Sequence, residues 1–169
     1  MPDGAMEINQ MKKKHIEQVL EIEKASFLTP WTKRMFLDEI DSPLSYPFVV
    51  TKSEARADVV VCYIISWMLM EEVHILNLAT HPAYRRLGIA HSLLHFSLDF
   101  MYKRGGIVYL LEVRRSNEAA LNLYQKVGFA SWRVRRKYYA DTGEDALIMK
   151  LFYGDRAYEK RGDEQSRLP

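Results

Sequence analysis

The segment Arg85 to Ala90 (RRLGIA) combines two cationic side chains with two small residues. It stands where a predicted strand passes into a long predicted helix. The free N–H groups and the dipole of a helix N-terminus favour a phosphate, and Gly88 lets the backbone approach a ligand closely because it has no Cβ. A plain helix start with two solvated arginines explains the segment equally well. The segment fits neither the GxxxxGK[ST] nor the GxGxxG pattern, which disfavours nucleotide-triphosphate and dinucleotide sites.

Two side chains further along could move protons. Glu112 stands late in an apolar segment, where a carboxylate beside a cavity would be a general base and one at a strand end would reach solvent. Tyr124 stands one turn before Val127, and its hydroxyl could protonate a leaving group or its ring could pack in the core. Asn117 is an adequate helix N-cap. Burial considerations alone favour the solvated carboxylate and the packed ring.

Three other patterns are weaker. His91, His95 and Asp99 share a helix stripe that could hold a metal ion, but no second ligand segment accompanies them. Trp132 to Lys137 is basic with one aromatic residue, as in some nucleic-acid sites, although its alternation is more simply that of a strand with a charged outer face. Cys62 lies inside an apolar strand and is expected to be inert.

Size and composition indicate one globular domain. The chain has 169 residues, with 24 Lys plus Arg against 22 Asp plus Glu, so its net charge of +2 is no signature of a polyelectrolyte-binding protein. A single cysteine excludes an intramolecular disulfide. We expect a domain over 7–152, an N-terminal extension over 1–6 and a polar tail over 153–169. The start lacks a signal peptide and the longest apolar run, Val59 to Met70, is too short to span a membrane, which predicts a cytoplasmic protein.

Hydrophobic periodicity predicts a mixed α/β fold, α/β or α+β, with helices on both faces of a mixed sheet. The strand at Val59 to Met70 is apolar on both faces and is predicted to be central. A polar loop is expected over Tyr138 to Glu144. The other predicted strands are Glu7 to Met11, Phe48 to Thr51, Val73 to Thr80, Ile107 to Val113, Phe129 to Arg136 and Asp145 to Phe152, and the predicted helices are His15 to Phe27, Lys33 to Ile40, Arg86 to Lys103 and Glu118 to Val127.

Several motifs together carry a family resemblance. Arg85, Gly88 and Ala90 fit the acyl-CoA signature [Q/R]-x-x-G-x-[G/A] of the GNAT superfamily of N-acyltransferases. The chain further resembles the RimI-type ribosomal-protein-alanine N-acetyltransferases over roughly Glu7 to Leu151. The segments that recur in order are Phe27 to Trp31 (FLTPW), Asn77 to Pro82 (NLATHP), Leu111 to Arg114 (LEVR), Ser116-Asn117, Asn122 to Tyr124, Gly128-Phe129, Arg136 to Tyr139 (RKYY) and Glu144 to Met149 (EDALIM).

The resemblance implies a GNAT fold, whose mostly antiparallel sheet is splayed between its middle strands. Acetyl-CoA would lie in the opening between the strand ending near Thr80 and the strand Ile107 to Val113, and Asn117 would contact it. No metal would be needed. The backbone groups that would hold the pantetheine belong to Leu78, Ala79 and Thr80. The N–H groups that would hold the pyrophosphate belong to Arg86, Leu87, Gly88, Ile89, Ala90 and His91, the last standing where an arginine is common in the family.

The resemblance also assigns chemical roles and an acceptor. Glu112 would be the general base and Tyr124 the general acid in acetyl transfer to a protein N-terminus, Ala of a small-subunit ribosomal protein being the expected substrate. No direct nucleic-acid or membrane partner is expected. Two alternatives stay open: the same fold acetylating a lysine side chain or a small-molecule amine, and an acyl-CoA-binding module without catalysis. The residues that would flank the acceptor are Pro30, Trp31, Tyr138 and Tyr139.

Overall fold

The computed structural model describes residues 4–55 and 57–154. Its strands are β1 (Met6–Gln10), β2 (Ser45–Ser53), β3 (Asp58–Leu69), β4 (Glu72–Thr80), β5 (Val108–Arg114), β6 (Ala130–Tyr139) and β7 (Glu144–Phe152). Its α-helices are α1 (Ile16–Ser26), α2 (Lys33–Asp41), α3 (Ile89–Tyr102) and α4 (Glu118–Val127). The strands form one sheet in the order β1-β2-β3-β4-β5-β7-β6, which is mostly antiparallel with β4 and β5 parallel. The predicted mixed α/β class is confirmed.

The first of two compact units consists of the residues up to Trp67 together with Leu76–Ser97. Strand β3 is buried from Val60 to Ser66, as its apolar pattern predicts for a central strand. Helix α1 turns one apolar stripe inward because its buried positions recur at helical spacing. The core of this unit contains Met11, Ile16, Val19, Leu20, Ile22, Phe36, Val49, Val60, Tyr63, Ile65 and Ala79.

The second unit consists of Met68–Ile75 and the residues from Leu98 onward. The parallel register joins Glu72–Ile75 of β4 to Val108–Leu111 of β5. Strand β7 pairs with β5 on one side and β6 on the other, so β6 is the edge strand and its side chains are largely exposed. The buried apolar residues of this unit include Leu98, Met101, Ile107, Tyr109, Leu111, Val113, Phe129, Ala146, Met149 and Leu151.

Local capping sets the ends of two helices where the sequence predicts them. The Thr32 hydroxyl oxygen accepts a hydrogen bond from the Met35 N–H at 3.4 Å and starts α2. The Asn117 side-chain oxygen accepts from the Ala120 N–H at 3.2 Å and starts α4, which ends at Gly128 with a φ of 112°. A left-handed residue is a common helix stop, and glycine adopts it without a Cβ clash.

Three predicted segments have wrong bounds. Helix α3 begins at Ile89 and not at Arg86, because Arg86 and Gly88 have φ values of 66° and 78° that no right-handed helix admits. Strand β2 covers Ser45–Ser53 and so exceeds the predicted Phe48 to Thr51 at both ends. Strand β6 continues to Tyr139 and β7 begins at Glu144, so the predicted loop from Tyr138 to Glu144 keeps only residues 140–143. In β6 the left-handed Lys137, with a φ of 52°, lies inside a register irregularity.

The two ends of the expected domain differ in what the structure describes. Met6 already belongs to β1 and pairs with Lys52. Tyr153 donates its N–H to the Ile107 carbonyl at 3.0 Å and its hydroxyl proton to Asp99 at 2.5 Å. The rest of the predicted tail, from position 155, lies outside the described residues. Among the described helices, none has both the length and the apolarity to cross a membrane.

Candidate active site

The backbone between β4 and α3 adopts a conformation that suits an anion. Arg86 and Gly88 are both left-handed, and a Cβ on Gly88 would meet nothing within 4 Å. Helix α3 begins at the next residue, and the Gly88 carbonyl accepts the Ser92 N–H at 3.0 Å. The first N–H groups of a helix have no partner within that helix and carry its positive dipole end. This backbone, residues 86–88 together with the first N–H groups of α3, is called the anion turn below, and it is the segment where the family resemblance implies that the pyrophosphate would bind.

Arg85 directs its side chain back into the first unit. Its Nε donates to the Thr80 carbonyl at 3.1 Å, and its Nη2 donates to the Ser26 hydroxyl at 3.0 Å and to the Ala25 carbonyl at 3.5 Å. These contacts join the acyl-CoA signature to the end of β4 and to the last turn of α1. A cation at the C-terminal end of a helix is also stabilised by the helix dipole.

The end of β4 carries the residues predicted to hold the pantetheine. Ala79 is buried in the core, whereas Leu78 and Thr80 are half-buried. The Thr80 hydroxyl lies 3.2 Å from the Cys62 sulfur. Burial raises the pKa of the Cys62 thiol to about 11, so the thiol stays protonated at neutral pH. In helix α3, Ile89 is buried, Ala90 is half-buried and the His91 ring contacts the His95 ring.

We expect Gly88→Ala to raise the KM for acetyl-CoA roughly tenfold and to leave kcat at saturating acetyl-CoA within about twofold. A residue with a Cβ costs about 1–2 kcal/mol in the left-handed region, and 1.4 kcal/mol corresponds to tenfold. The turn would relax and its N–H groups would lose their common direction. Steady-state kinetics with varied acetyl-CoA measures the effect.

Gly143→Ala is the matched control for that prediction. Gly143 also has a positive φ, of 68°, and a Cβ there would likewise meet nothing within 4 Å. It places the same backbone strain in the second unit and should leave the KM for acetyl-CoA unchanged. Equal rises in both variants would show that the effect is general strain and not a lost phosphate contact.

Glu112 makes two polar contacts in the second unit. Its side chain is 30% exposed, and its Oε1 lies 2.7 Å from Nη1 of Arg135. The Tyr138 hydroxyl donates to the same carboxylate, and this hydrogen bond is the main reason that the pKa of Tyr138 is raised. The carboxylate is thus accessible to solvent, as burial considerations favoured. It is held between a cation and a phenol, where it can accept a proton.

Tyr138 and Tyr139 form an edge-to-face pair with ring centroids 5.2 Å apart. The Arg114 guanidinium lies 3.8 Å from the Tyr139 ring centroid. Both Arg114 terminal nitrogens bind the Asp141 carboxylate, at 2.9 and 2.5 Å. Burial raises the pKa of Tyr139 to about 12, so this phenol is neutral at physiological pH.

Tyr124 lies in α4, and Asn117 is the N-cap of the same helix. Tyr124 is 8% exposed and its ring packs edge-on against Phe129, with centroids 5.8 Å apart. The packing role is therefore present, and the hydroxyl lies on a ring held in one place. Asn117 is exposed and caps α4 through its side-chain oxygen.

Pro30 and Trp31 belong to the connection between α1 and α2, in the first unit. Pro30 is exposed, and the Trp31 ring packs against Phe36 with centroids 5.4 Å apart. The Trp31 N–H donates to the Glu23 carboxylate at 2.7 Å. The Trp31 peptide N–H is therefore held by a hydrogen bond, and the neighbouring Pro30 is exposed to solvent.

A model of the acetyltransferase (GNAT) family matches residues 16–129. The match begins at the first residue of α1 and includes the anion turn, Glu112 and Tyr124. The chain belongs to this family.

Individual GNAT relatives cover most of the chain. A Bacillus subtilis (strain 168) relative, by its provisional name a ribosomal protein bS18-alanine N-acetyltransferase, is 35% identical over 143 residues, 84% of this chain and 92% of its own. The ribosomal protein bS18-alanine N-acetyltransferase of Escherichia coli (strain K12) is 32% identical over 146 residues, 85% of this chain and 95% of its own. The crystal structure of the ribosomal-protein-S18-alanine N-acetyltransferase from E. coli superposes with a TM-score of 0.77 at 29% identity, covering 89% of this chain and 97% of that one. The predicted GNAT fold and RimI-type resemblance are confirmed.

Two polar residues of this GNAT domain were missed in the sequence. Arg135 reaches Glu112 because both flank β7, where they pair with Ala146 and Ile148 on the same face. The alternation of charges along β6 indicates an exposed face, but it does not indicate that Arg135 pairs with Glu112. Glu23 stands in an amphipathic helix among exposed-looking charges, and its burial has no local signal.

Within 4–55 and 57–154, no group of three or more His, Cys, Asp or Glu side chains is arranged to hold a metal ion.

Proposed function

We propose that this GNAT enzyme transfers the acetyl group of acetyl-CoA to the N-terminal α-amine of a protein, and that its substrate is the alanine N-terminus of ribosomal protein bS18. The observation that carries the proposal is the partly exposed Glu112 carboxylate. It accepts a hydrogen bond from Tyr138, whose ring forms an edge-to-face pair with the Tyr139 ring. The named activity of the E. coli relative, which matches 85% of this chain, supports the choice of acceptor.

The acid–base chemistry favours an α-amine over a lysine. The reference pKa of an α-amino group is about 7.7–8.0, and that of lysine is about 10.4. Producing the neutral nucleophile at pH 7 therefore costs roughly 1 kcal/mol for an N-terminus and more than about 4 kcal/mol for lysine. One accessible carboxylate is a sufficient base for the smaller task.

The side chains of this protein carry the proton transfers. Glu112 accepts one proton from the peptide ammonium, whose nitrogen then bonds to the acetyl carbon. The bond from that carbon to sulfur breaks, and the Tyr124 hydroxyl supplies the proton that the departing thiolate takes up. The nitrogen gives up its second proton as the amide forms, which restores the Tyr124 hydroxyl through solvent, and Glu112 releases its proton to water. Acetyl-CoA supplies the activated acetyl group. The N–H groups from Arg86 to His91 would hold its pyrophosphate, and backbone groups from Leu78 to Thr80 would hold its pantetheine.

The proposed substrate also implies where the enzyme works. Acting on a ribosomal protein would place it in the cytoplasm, where ribosomes are assembled, with a protein N-terminus as its partner. Pro30 and Trp31 would contact the first residues of the peptide, and the same is expected of Tyr138 and Tyr139.

Thiol release from acetyl-CoA with two peptides tests the proposal. One peptide has a free alanine N-terminus and no lysine, and the other has a blocked N-terminus and one internal lysine. We expect turnover with the first peptide alone, and mass spectrometry of the product should place one acetyl group on the α-nitrogen.

Each other result assigns a different activity. Turnover with the lysine peptide alone would overturn the N-terminal acceptor and keep the family. Thiol release with neither peptide but with small amines would assign a small-molecule acceptor. Tight acetyl-CoA binding without turnover of any amine would identify a binding module.

A further inference from the structure

Glu23 is a carboxylate in the core of the first unit. It lies in the last turn of α1 and is 1% exposed, next to the apolar residues that the helix turns inward. Removing a carboxylate from water is costly unless hydrogen bonds replace its hydration. An apolar side chain would pack at this position without that cost. The contacts that Glu23 makes therefore explain its presence better than packing does.

The two carboxylate oxygens face different parts of the chain. Oε1 accepts the Trp31 backbone N–H at 2.7 Å. Oε2 accepts the Asn77 amide N–H at 3.1 Å and the Tyr63 hydroxyl. Burial first, and the nearby carboxylate next, raise the pKa of Tyr63, so its hydroxyl stays protonated and donates. One oxygen thus holds the α1–α2 connection, and the other holds β3 and β4.

The connection from Phe27 to Thr32 alternates between packed and exposed residues. Phe27 and Trp31 pack against the core of the first unit, whereas Leu28 is 75% exposed and Pro30 is exposed. The Trp31 ring packs on Phe36, but a ring contact alone fixes the peptide plane less than a hydrogen bond does. The hydrogen bond from the Trp31 N–H to Glu23 therefore fixes the orientation of the peptide that follows the exposed residues.

We propose that Glu23 is a positioning residue for the peptide acceptor. Its carboxylate fixes the Trp31 peptide plane before the acceptor arrives, so that Pro30 and Trp31 already stand where they contact the first residues of the acceptor. This inference rests on the proposed function, because it takes an N-terminal peptide as the acceptor. Because Pro30 and Trp31 are ordered before the acceptor binds, the free energy of binding does not include the entropy cost of ordering them.

Glu23→Gln tests the proposal because it alters hydrogen-bond polarity at nearly constant volume. If the glutamine NH2 group takes the place of Oε2, it faces the NH2 group of Asn77, and two donors meet. If the glutamine side chain is rotated so that its oxygen faces Asn77, its NH2 group faces the Trp31 N–H and that hydrogen bond is lost. We expect the KM for the alanine peptide to rise about tenfold. The kcat at saturating peptide and the KM for acetyl-CoA should stay within about twofold of wild type.

A reciprocal exchange and a matched control separate positioning from plain stability. In Glu23→Gln with Asn77→Asp, the glutamine amide donates to the new carboxylate and its oxygen again accepts from Trp31, so the peptide KM should return to within about threefold of wild type. Tyr63→Phe removes a donor to the same carboxylate without touching Trp31. It should lower the melting temperature and leave the peptide KM unchanged.

Several outcomes would overturn the proposal. A wild-type peptide KM in folded Glu23→Gln would do so, and so would a peptide KM in Tyr63→Phe that rises as much as in Glu23→Gln. If Glu23→Gln does not fold, hydrogen exchange of the wild-type enzyme decides: the Trp31 amide should exchange slowly without peptide. Fast exchange that slows only with peptide would contradict positioning in advance. No turnover of the alanine peptide by wild type would instead be a failure of the proposed function.

Discussion

Glu112→Gln should lower kcat for the alanine peptide by about 10²- to 10⁴-fold at pH 7, the usual contribution of a general base. The glutamine keeps the shape of the side chain and an oxygen for Arg135 and Tyr138, so its loss is that of a proton acceptor. The KM for acetyl-CoA should change little, because Glu112 lies outside the two segments that are expected to hold the cofactor, 78–80 and 85–91. Initial rates of thiol release at saturating peptide measure the effect.

The pH profile identifies the cause of that loss. Above pH 8 most peptide N-termini are already neutral, since their reference pKa is about 7.7–8.0. The deficit of Glu112→Gln should therefore shrink as the pH rises from 7 to 9. Glu118→Gln, which removes an exposed carboxylate from the first turn of α4, is the control and should retain wild-type kcat. An unchanged rate in Glu112→Gln would mean that another group takes the proton.

Tyr124→Phe should lower kcat about 10²-fold, at the lower end of the range for acid–base catalysis. The phenylalanine keeps the buried ring and its edge contact with Phe129, and only the hydroxyl is removed. Without a proton donor, the thiolate must leave as an anion. The KM for the peptide should change little. Single-turnover measurement of acetyl transfer with preformed enzyme and acetyl-CoA isolates the affected step.

Tyr109→Phe is the matched control for the loss of a buried hydroxyl. Tyr109 is fully buried in the same unit, and its hydroxyl donates to the Leu98 carbonyl at 2.9 Å. Its removal should destabilise the fold by about 1 kcal/mol, the net worth of a typical hydrogen bond, and leave kcat unchanged. A Tyr124→Phe enzyme as fast as wild type, or a Tyr109→Phe enzyme equally slow, would remove the acid role of Tyr124.

Elements with strong local signals were predictable from the sequence. Helix α4 spans Glu118–Val127 as predicted, because an asparagine cap and a glycine stop enclose one amphipathic run. The start of α3 was not predictable from periodicity, since Arg86 has a positive φ that is rare outside glycine. The extension of β6 to Tyr139 depends on pairing with β7. The end of the strand, Arg136 to Tyr139, has two cations followed by two aromatic residues, which is not the alternation that indicates a strand.

The candidate site likewise contains residues that the sequence indicates and contacts that it does not. Glu112, Tyr124 and the anion turn follow from motifs that are contiguous in the chain. The partners of Glu23 and Glu112 do not, because Asn77 is 54 positions from Glu23 and Arg135 is 23 positions from Glu112. Contacts of that kind are set by strand register and helix packing. Hydrophobic periodicity indicates whether a face of a helix or strand is buried or exposed. It does not indicate which residues of the neighbouring elements that face contacts.

The ion pair between Glu112 and Arg135 neutralises the carboxylate before any acceptor arrives. Under the proposed function, a peptide ammonium would then meet a paired charge and not a free anion, so its long-range attraction to Glu112 would be weak. Added salt would screen an attraction that is already small, and it should therefore change the peptide KM little. Acceptors would then be distinguished by shape and by how readily they give up a proton, and not by charge.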